Sequence, residues 1–516
     1  MEYGFVILKE GVEVEAISVE DMRAYEINAV GMGIPLLLLM ENAGRSVADY
    51  IEYKLGDVKD KKIAIIAGKG GNAGDGFVAA RHLAGRGARV EVHLAYSPLD
   101  VSHSDARVNL DIIMKMDSIR IHKPFSKNWL EVADSDVVVD ALLGTGVRGS
   151  LRSPIREAIK EFNNAPGFKV SIDVPSGVDP DTGKAAEGSA RAEATVTMHK
   201  LKRGLLKARE YAGEIAIASI GLTSDVEVYA GPGDVAARVP HRPKDAHKGV
   251  GGRVLVVAGS KYYVGAALLT ATAAARIGVD LVYLASTRSI AEAAAERSST
   301  IIPTPYDGDV LTKKDVERLE KVVERVHSIA IGPGLGREPE TIEAFCQLLD
   351  RAVKANTPIV VDADGLYAIQ ECNAKLKENV VLTPHRGEAS RLLGESHGNP
   401  VVMAREIASK INATTLVKGP LDVACSPSGR CRMNRAGVPA MSVGGTGDVL
   451  TGVIAGIMAK RKSILGDPDP LNSAITGAFI LGRAGELAYS IRGEALTAFD
   501  LLDIIPSILR DPLNPT

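Results

Sequence analysis

The apolar and polar positions follow one pattern twice along the chain. Lys62-Ile-Ala-Ile-Ile-Ala67 is a near-continuous apolar run, followed by glycines, a helical spacing over Phe77–Arg86 and a second apolar run, Arg89–Ala95. In the same way, Arg253-Val-Leu-Val-Val-Ala258 leads through Gly259-Ser260 into an Ala-rich helical stretch, Gly265–Gly278, and then Leu281–Ala285. Strand, loop, helix, strand is the βαβ unit of a parallel sheet. Further strand-length apolar runs lie at Val137–Ala141, Val170–Val174 and Ala194–His199, then at Ser328–Ile331, Ile359–Asp362, Val380–Thr383 and Thr415–Lys418. Runs that are apolar throughout suit strands covered on both faces by helices.

Periodicity lapses between Ser224 and Lys248, where Gly231-Pro-Gly233 and Pro240-His-Arg-Pro243 carry turn chemistry. The cut is placed near Tyr229, giving domains 1–228 and 229–516. A chain of 516 residues is too long for one core, which agrees with two α/β domains. Glycine is abundant, at 52 residues, and aromatics make up 4%, as expected of α/β domains with glycines at strand ends.

Net charge is −3 with acids and bases mixed, so no basic track for a phosphate backbone exists and nucleic acid is excluded as a partner. The longest apolar run near the N-terminus, Ile34–Met40, is far too short to span a bilayer. Cys346, Cys372, Cys425 and Cys431 form no CxxC pair and have no histidine at zinc spacing, so reduced thiols and a cytoplasmic setting are expected. The Ala-rich stretch Ala266–Ala275 suits a core or a subunit interface, and a homo-oligomer is expected.

Gly68-Lys-Gly-Gly-Asn-Ala-Gly-Asp-Gly76 stands where a strand hands over to a helix. Free N–H groups and the dipole there favour anions. A dinucleotide fingerprint alone is a weak reading, because the next strand ends Ala95-Tyr-Ser97 without the usual ribose-binding acid, and a tight βα turn is the plain alternative. Asp140-Ala-Leu-Leu-Gly-Thr-Gly146 and Ile172-Asp-Val-Pro-Ser-Gly-Val-Asp179 each follow a strand. Ligands bind at the carboxyl ends of parallel strands, so Asp140, Asp173 and Ser176 should converge near Asn72. Each Asp alone could be a cap; together they offer oxygen donors for a cation or for proton transfer.

These stretches, with Leu39-Met-Glu-Asn-Ala-Gly44 and Asn72–Arg81, resemble the motifs of NAD(P)H-hydrate epimerases. The resemblance implies a Rossmann-like, three-layer domain that binds the hydrated cofactor through Gly71, Asn72, Ala73, Gly74 and Asp75 and through Gly144, Thr145, Gly146, Val147, Arg148, Gly149 and Ser150. It also implies a potassium ion at Asn72, Asp140 and Ser176, and Asp173 as the acid/base that interconverts C6 epimers and contacts substrate. Gly71 and Ala73 depart from the family's usual Asn and Gly, which puts one polar contact to substrate in doubt.

In the second half, Gly444-Gly-Thr-Gly-Asp448 opens a helical run. Successive N–H groups there form an anion hole, and the Asp is placed to deprotonate a hydroxyl attacking a phosphoryl group. Ile331-Gly-Pro-Gly-Leu-Gly336, Leu382-Thr-Pro-His-Arg-Gly-Glu388 and Val417-Lys-Gly419 supply further loops at strand ends. The arrangement resembles ribokinase-like enzymes, and His247–Asp448 as a whole resembles the ADP-dependent NAD(P)H-hydrate dehydratases. That likeness implies a ribokinase-like α/β domain in which Ala266, Gly334, His385 and Asp448 bind the hydrated nucleotide. Lys418, Gly419, Pro420, Leu421, Asp422 and Gly447 would bind ADP, with magnesium, and Asp448 would act as base. The alternatives are a ribokinase-like kinase for a small alcohol, and a nucleotide-sensing protein without catalysis.

Overall fold

The structure is a computed structural model that describes residues 4–9, 11, 14–124, 132–144, 149–372, 375–394 and 398–515. It divides into two compact units, Met1–Thr223 and Ser224–Thr516. Residues 224–228 belong with the second unit because Arg432 Nε donates to Glu227 O at 2.9 Å and Tyr229 bridges to Met433.

The first unit holds an eight-stranded sheet in the order Phe5–Ile7, Glu214–Ala218, Ala194–Met198, Phe168–Ile172, Val137–Ala141, Lys62–Ala67, Arg89–Leu94, Ile119–His122. All neighbours pair in parallel except Phe5–Ile7, which runs antiparallel on one edge. The chain moves outward from Lys62–Ala67 in one direction and then returns to build in the other. The crevice between Lys62–Ala67 and Val137–Ala141 is therefore the switch point where such sheets bind ligands.

The helix after Lys62–Ala67 spans Gly71–Gly85, so the expected start at Phe77 is corrected. Gly71–Gly76 is the opening of the helix rather than a free loop. Its glycines serve close packing: a Cβ at Gly74 would lie 2.4 Å from Met40 Sδ, and one at Gly76 2.7 Å from Ala141 Cβ.

The second unit holds a nine-stranded sheet in the order Ile301–Pro303, Leu281–Ala285, Arg253–Val257, Ser328–Ile331, Ile359–Val361, Val380–Leu382, Thr414–Val417, Asp422–Cys425, Cys431–Asn434. The first seven are parallel and the last two form an antiparallel extension. The Ala-rich helix, Val264–Arg276, lies in the core against the helix Thr446–Leu465. Gly452 permits this crossing, since a Cβ there would fall 2.2 Å from Thr270 O. The observed layout is the expected α/β class, two units that are each built on a mainly parallel sheet with connecting helices.

The reduced cysteines expected from spacing are corrected. Cys425 and Cys431 sit opposite one another in the antiparallel hairpin register and are disulfide-bonded. Cys346, on the helix Pro339–Lys354, bonds Cys372 across a sequence separation of 26. Pairing set by hairpin register and by packing of a helix on a turn leaves no mark in the spacing of cysteines.

Among the described residues, no helix is long and apolar enough to cross a membrane.

Candidate active sites

In the first unit, Asp140 is fully buried at the end of its strand and receives four hydrogen bonds. Ser171 Oγ (3.0 Å) and Ser176 N (2.8 Å) donate to one oxygen, Ser176 Oγ (2.6 Å) and Leu142 N (3.2 Å) to the other. Burial still pushes its carboxyl above the usual range, against the pull of these donors. Asn72, in the first turn of the helix, turns its Nδ2 to Leu143 O (3.0 Å) and Ile172 O (2.9 Å). That leaves its Oδ1 near Gly144, where a Cβ would lie 3.5 Å away. Asn72, Asp140, Ser176 and Gly144 thus share one oxygen-rich corner at the sheet's switch point.

Asp173 takes a left-handed backbone (φ 62°) just past its strand. Its Oδ1 accepts from Thr197 Oγ1 (3.1 Å) and Met198 N (3.2 Å) and pairs with Lys202 Nζ at 2.6 Å. Lys202 is wholly buried and also donates to Met198 O at 2.7 Å. Two further acids share this field. Burial, with Asp173 and Glu26 adding negative charge, holds the Asp75 carboxyl well above its usual range. Burial raises Glu26 to about 7, with Lys202 opposing. A buried cation pairs with one acid while burial favours the protonated form of its two neighbours, an arrangement that can give and take protons in one place.

Gly71 opens the helix, and Ala73 and Gly74 are buried behind it. Gly149 and Ser150 are exposed, and Thr145, Gly146, Val147 and Arg148 lie outside the described residues. Sequence reasoning missed Lys202, Thr197 and Glu26. Lys202 stands in the basic stretch His199-Lys-Leu-Lys-Arg203 just after the strand Ala194–Met198, which reads as solvated surface.

In the second unit, two strand ends and one helix start meet. Lys418 follows Thr414–Val417 and pairs with Asp362, which follows Ile359–Val361, at 2.7 Å (Nζ to Oδ1). Thr451 Oγ1 donates to the other Asp362 oxygen at 2.9 Å. Gly447 lies over this pair, since a Cβ there would be 3.3 Å from Lys418 Nζ and 3.5 Å from Asp362 Oδ2. Asp448 stands in the first turn of Thr446–Leu465, where burial and then the Asp362 charge raise its carboxyl to about 7. A carboxylate with that value and free N–H groups beside it suits a general base next to an anion.

Gly334 and Ala266 adjoin one another, with a Cβ at Gly334 only 3.1 Å from Ala266 Cβ. His385 caps the helix Arg386–Leu393: its Nδ1 accepts from Gly387 N (2.9 Å) and Glu388 N (3.3 Å). This hydrogen bonding assigns the tautomer with hydrogen on Nε2, leaving a donor on a ring that is 60% exposed. A backbone bridge joins His385 to Lys418. Gly419, Pro420 and Leu421 form the turn before Asp422–Cys425, and Gly419 N donates to Asp422 Oδ1 at 3.0 Å. The structure therefore gathers Lys418, Gly447 and Asp448 into one cluster and adds Asp362 and Thr451, which sequence reasoning left as strand and helix filler.

Residues 254–507 match the family described as NAD(P)H-hydrate dehydratase, and residues 37–204 match the YjeF-related protein N-terminus. A bifunctional NAD(P)H-hydrate repair enzyme of Hyperthermus butylicus is 41% identical over 97% of this chain and 93% of its own length. One of Methanothermobacter thermautotrophicus is 38% identical over 99% and 97%. This chain belongs to the bifunctional NAD(P)H-hydrate repair enzymes. Both halves of the family are present, in the order read from the motifs. Among solved structures, it is similar to an ADP/ATP-dependent NAD(P)H-hydrate dehydratase from Bacillus subtilis co-crystallized with ATP and Mg2+. That likeness is 27% identity over 56% of this chain and 99% of that one, with a TM-score of 0.46.

Proposed function

We propose that the first unit interconverts the C6 epimers of hydrated NADH and NADPH through Asp173, and that the second dehydrates the S epimer with ADP through Asp448. The observation that carries this reading is Asp448, raised to about 7 at a glycine-rich helix start beside Lys418, in a chain that has both halves of the repair family.

In the second unit, Asp448 takes the proton of the C6 hydroxyl as that oxygen attacks the β-phosphorus of ADP. The P–O bond to AMP breaks, with Lys418 and the N–H groups around Gly447 holding the charge that develops. Phosphate then leaves C6 as a proton leaves C5, restoring the ring double bond, so AMP, phosphate and NAD(P)H are the products. Phosphorylation is what makes the step feasible, since phosphate leaves far more readily than hydroxide. Magnesium, when bound, would shield the phosphate charges, with Asp362 the carboxylate within the cluster suited to it. Gly334, packed closely against Tyr263 and Ala266, and Ala266 itself take the nicotinamide side of the site, and His385 offers its Nε2 hydrogen.

In the first unit, epimerisation requires the C6 hydroxyl to leave as water and return on the other face. Asp173, held by Lys202, is the base that activates the returning water, and Asp75 with Glu26 keeps protons available for the departing one. Gly71 to Asp75, Gly144, Gly149 and Ser150 are the described residues that would frame the hydrated nucleotide. The donors at Asn72, Asp140 and Ser176 are all oxygens, which suits an alkali cation such as potassium, and a cation would offset the buried Asp140 charge. We place this action in the cytoplasm, where the reduced cofactors turn over.

The test is to supply purified chain with a mixture of both hydrate epimers and either ADP or ATP. Recovery of NADH absorbance from both epimers with ADP is expected. A phosphorylated hydrate accumulating without NADH would point instead to a small-molecule kinase.

A further inference from the structure

Apart from the residues of either site, the edge of the first unit's sheet carries two histidines and a glutamate on adjacent strands. The parallel register between Arg89–Leu94 and Ile119–His122 sets His93 beside His122. Side chains alternate along a strand, so Glu91 shares the face of His93. The two imidazoles stack with centroids 4.5 Å apart and planes 2° from parallel. Glu91 Oε2 lies 3.0 Å from His122 Nε2 and 3.9 Å from His93 Nε2. All three atoms fall within 4.8 Å of one another, and among the described residues this is the one group of three His, Cys or carboxylate ligands that does so.

The carboxylate is held for this role. Lys62 Nζ lies 3.6 Å from Glu91 Oε1 while pairing with Asp134 at 2.6 Å, which leaves Oε2 turned to the rings. Two imidazoles and a carboxylate are the ligand set of zinc-class ions, bound at about 2.0–2.2 Å. Donors at that radius stand about 3–4 Å apart, and both separations from Glu91 already fall in that range. The ring planes lie 2° from parallel, so the rings must turn toward one another before both nitrogen lone pairs converge on one ion.

We propose that Glu91, His93 and His122 bind one divalent transition-metal ion of the zinc class, which ties the edge strand Ile119–His122 to its neighbour. The ion is structural and takes no part in either reaction. An exposed edge strand is held by one ladder only, so a metal clip there has a direct effect on stability.

The test uses the full chain, stripped with a chelator and titrated with cobalt(II). One equivalent is expected to give visible absorption bands that zinc abolishes, and zinc is expected to raise Tm. His122→Ala should weaken cobalt binding at least about tenfold and remove the zinc-dependent rise in Tm. Glu91→Gln, which keeps size and a hydrogen bond to His122, should weaken binding similarly and decides the matter if His122→Ala fails to fold. A wild-type chain that binds neither ion, or a Glu91→Gln variant with unchanged affinity, would overturn the proposal.

Discussion

Lys418 Nζ and Asp362 Oδ1 stand 2.7 Å apart at the ends of two strands that flank a third, Val380–Leu382, between them. The pair does two things at once. It holds the lysine at the floor of the anion-binding helix start, and it sets a negative charge beside Asp448.

That relationship gives the dehydratase a pH signature. A base raised to about 7 is protonated and inactive below that value, so kcat/KM for ADP-dependent NADH recovery should rise with pH and level off above about 7. Asp362→Asn removes the like charge that helps raise Asp448, so the inflection should move to lower pH. Asp448→Asn should lower kcat by about 10²–10⁴-fold while leaving epimer interconversion intact. Rate–pH profiles of the three proteins check this.

Lys202 is wholly buried and its ammonium rests on Asp173. Lys202→Met leaves that carboxylate without its partner, and losing one partner of a buried pair costs about 3–5 kcal/mol. Denaturant unfolding should show the loss. Below the new melting point, conversion of the R epimer should fail while turnover of pure S epimer continues.

Asp234 is an equally buried charge with a purely architectural part. Its carboxylate accepts from Arg238 Nε at 2.9 Å and from the guanidinium of Arg432, which also reaches Asn472 Oδ1 at 3.0 Å. Burial opposes its charge, but the two arginines outweigh it and hold the carboxyl far below the usual range. A depressed folded-state value means this stabilisation is complete above the unfolded carboxyl value of about 3.9 and is lost as pH falls below it. Asp234→Ala should cost about 3–5 kcal/mol at pH 7, and the deficit relative to wild type should shrink in acid.

Both disulfides lie in the second unit, so reductant should act there alone. Cys346→Ser with Cys372→Ser opens the longer loop and should lower stability by about 3 kcal/mol, read as a fall in Tm of that unit's transition. Cys425→Ser with Cys431→Ser opens a far shorter loop and should cost less, because its partners are already opposed in the hairpin.

Strands were legible because Ile63–Ala67 and Val254–Val257 are apolar on every position, which only a doubly covered sheet explains. Asp448 and Asp173 were legible because glycine-rich starts and strand ends carry ligands in such sheets. Lys202, Glu26, Asp362 and Thr451 were not, since their value comes from partners distant in sequence that only packing brings near. The start of the helix at Gly71 was also hidden: glycine reads as loop, and the packing of Gly74 against Met40 and of Gly76 against Ala141 is a tertiary fact that overrides propensity.

The most direct test of the account is the stoichiometry of the complete reaction. Purified chain is given hydrated NADH and ADP, and NADH, AMP and phosphate are quantified together in wild type and in Asp448→Asn. The account predicts one AMP and one phosphate for each NADH regained, with all three lost in the variant. AMP formed without NADH, or NADH regained at the same rate by Asp448→Asn, would contradict it.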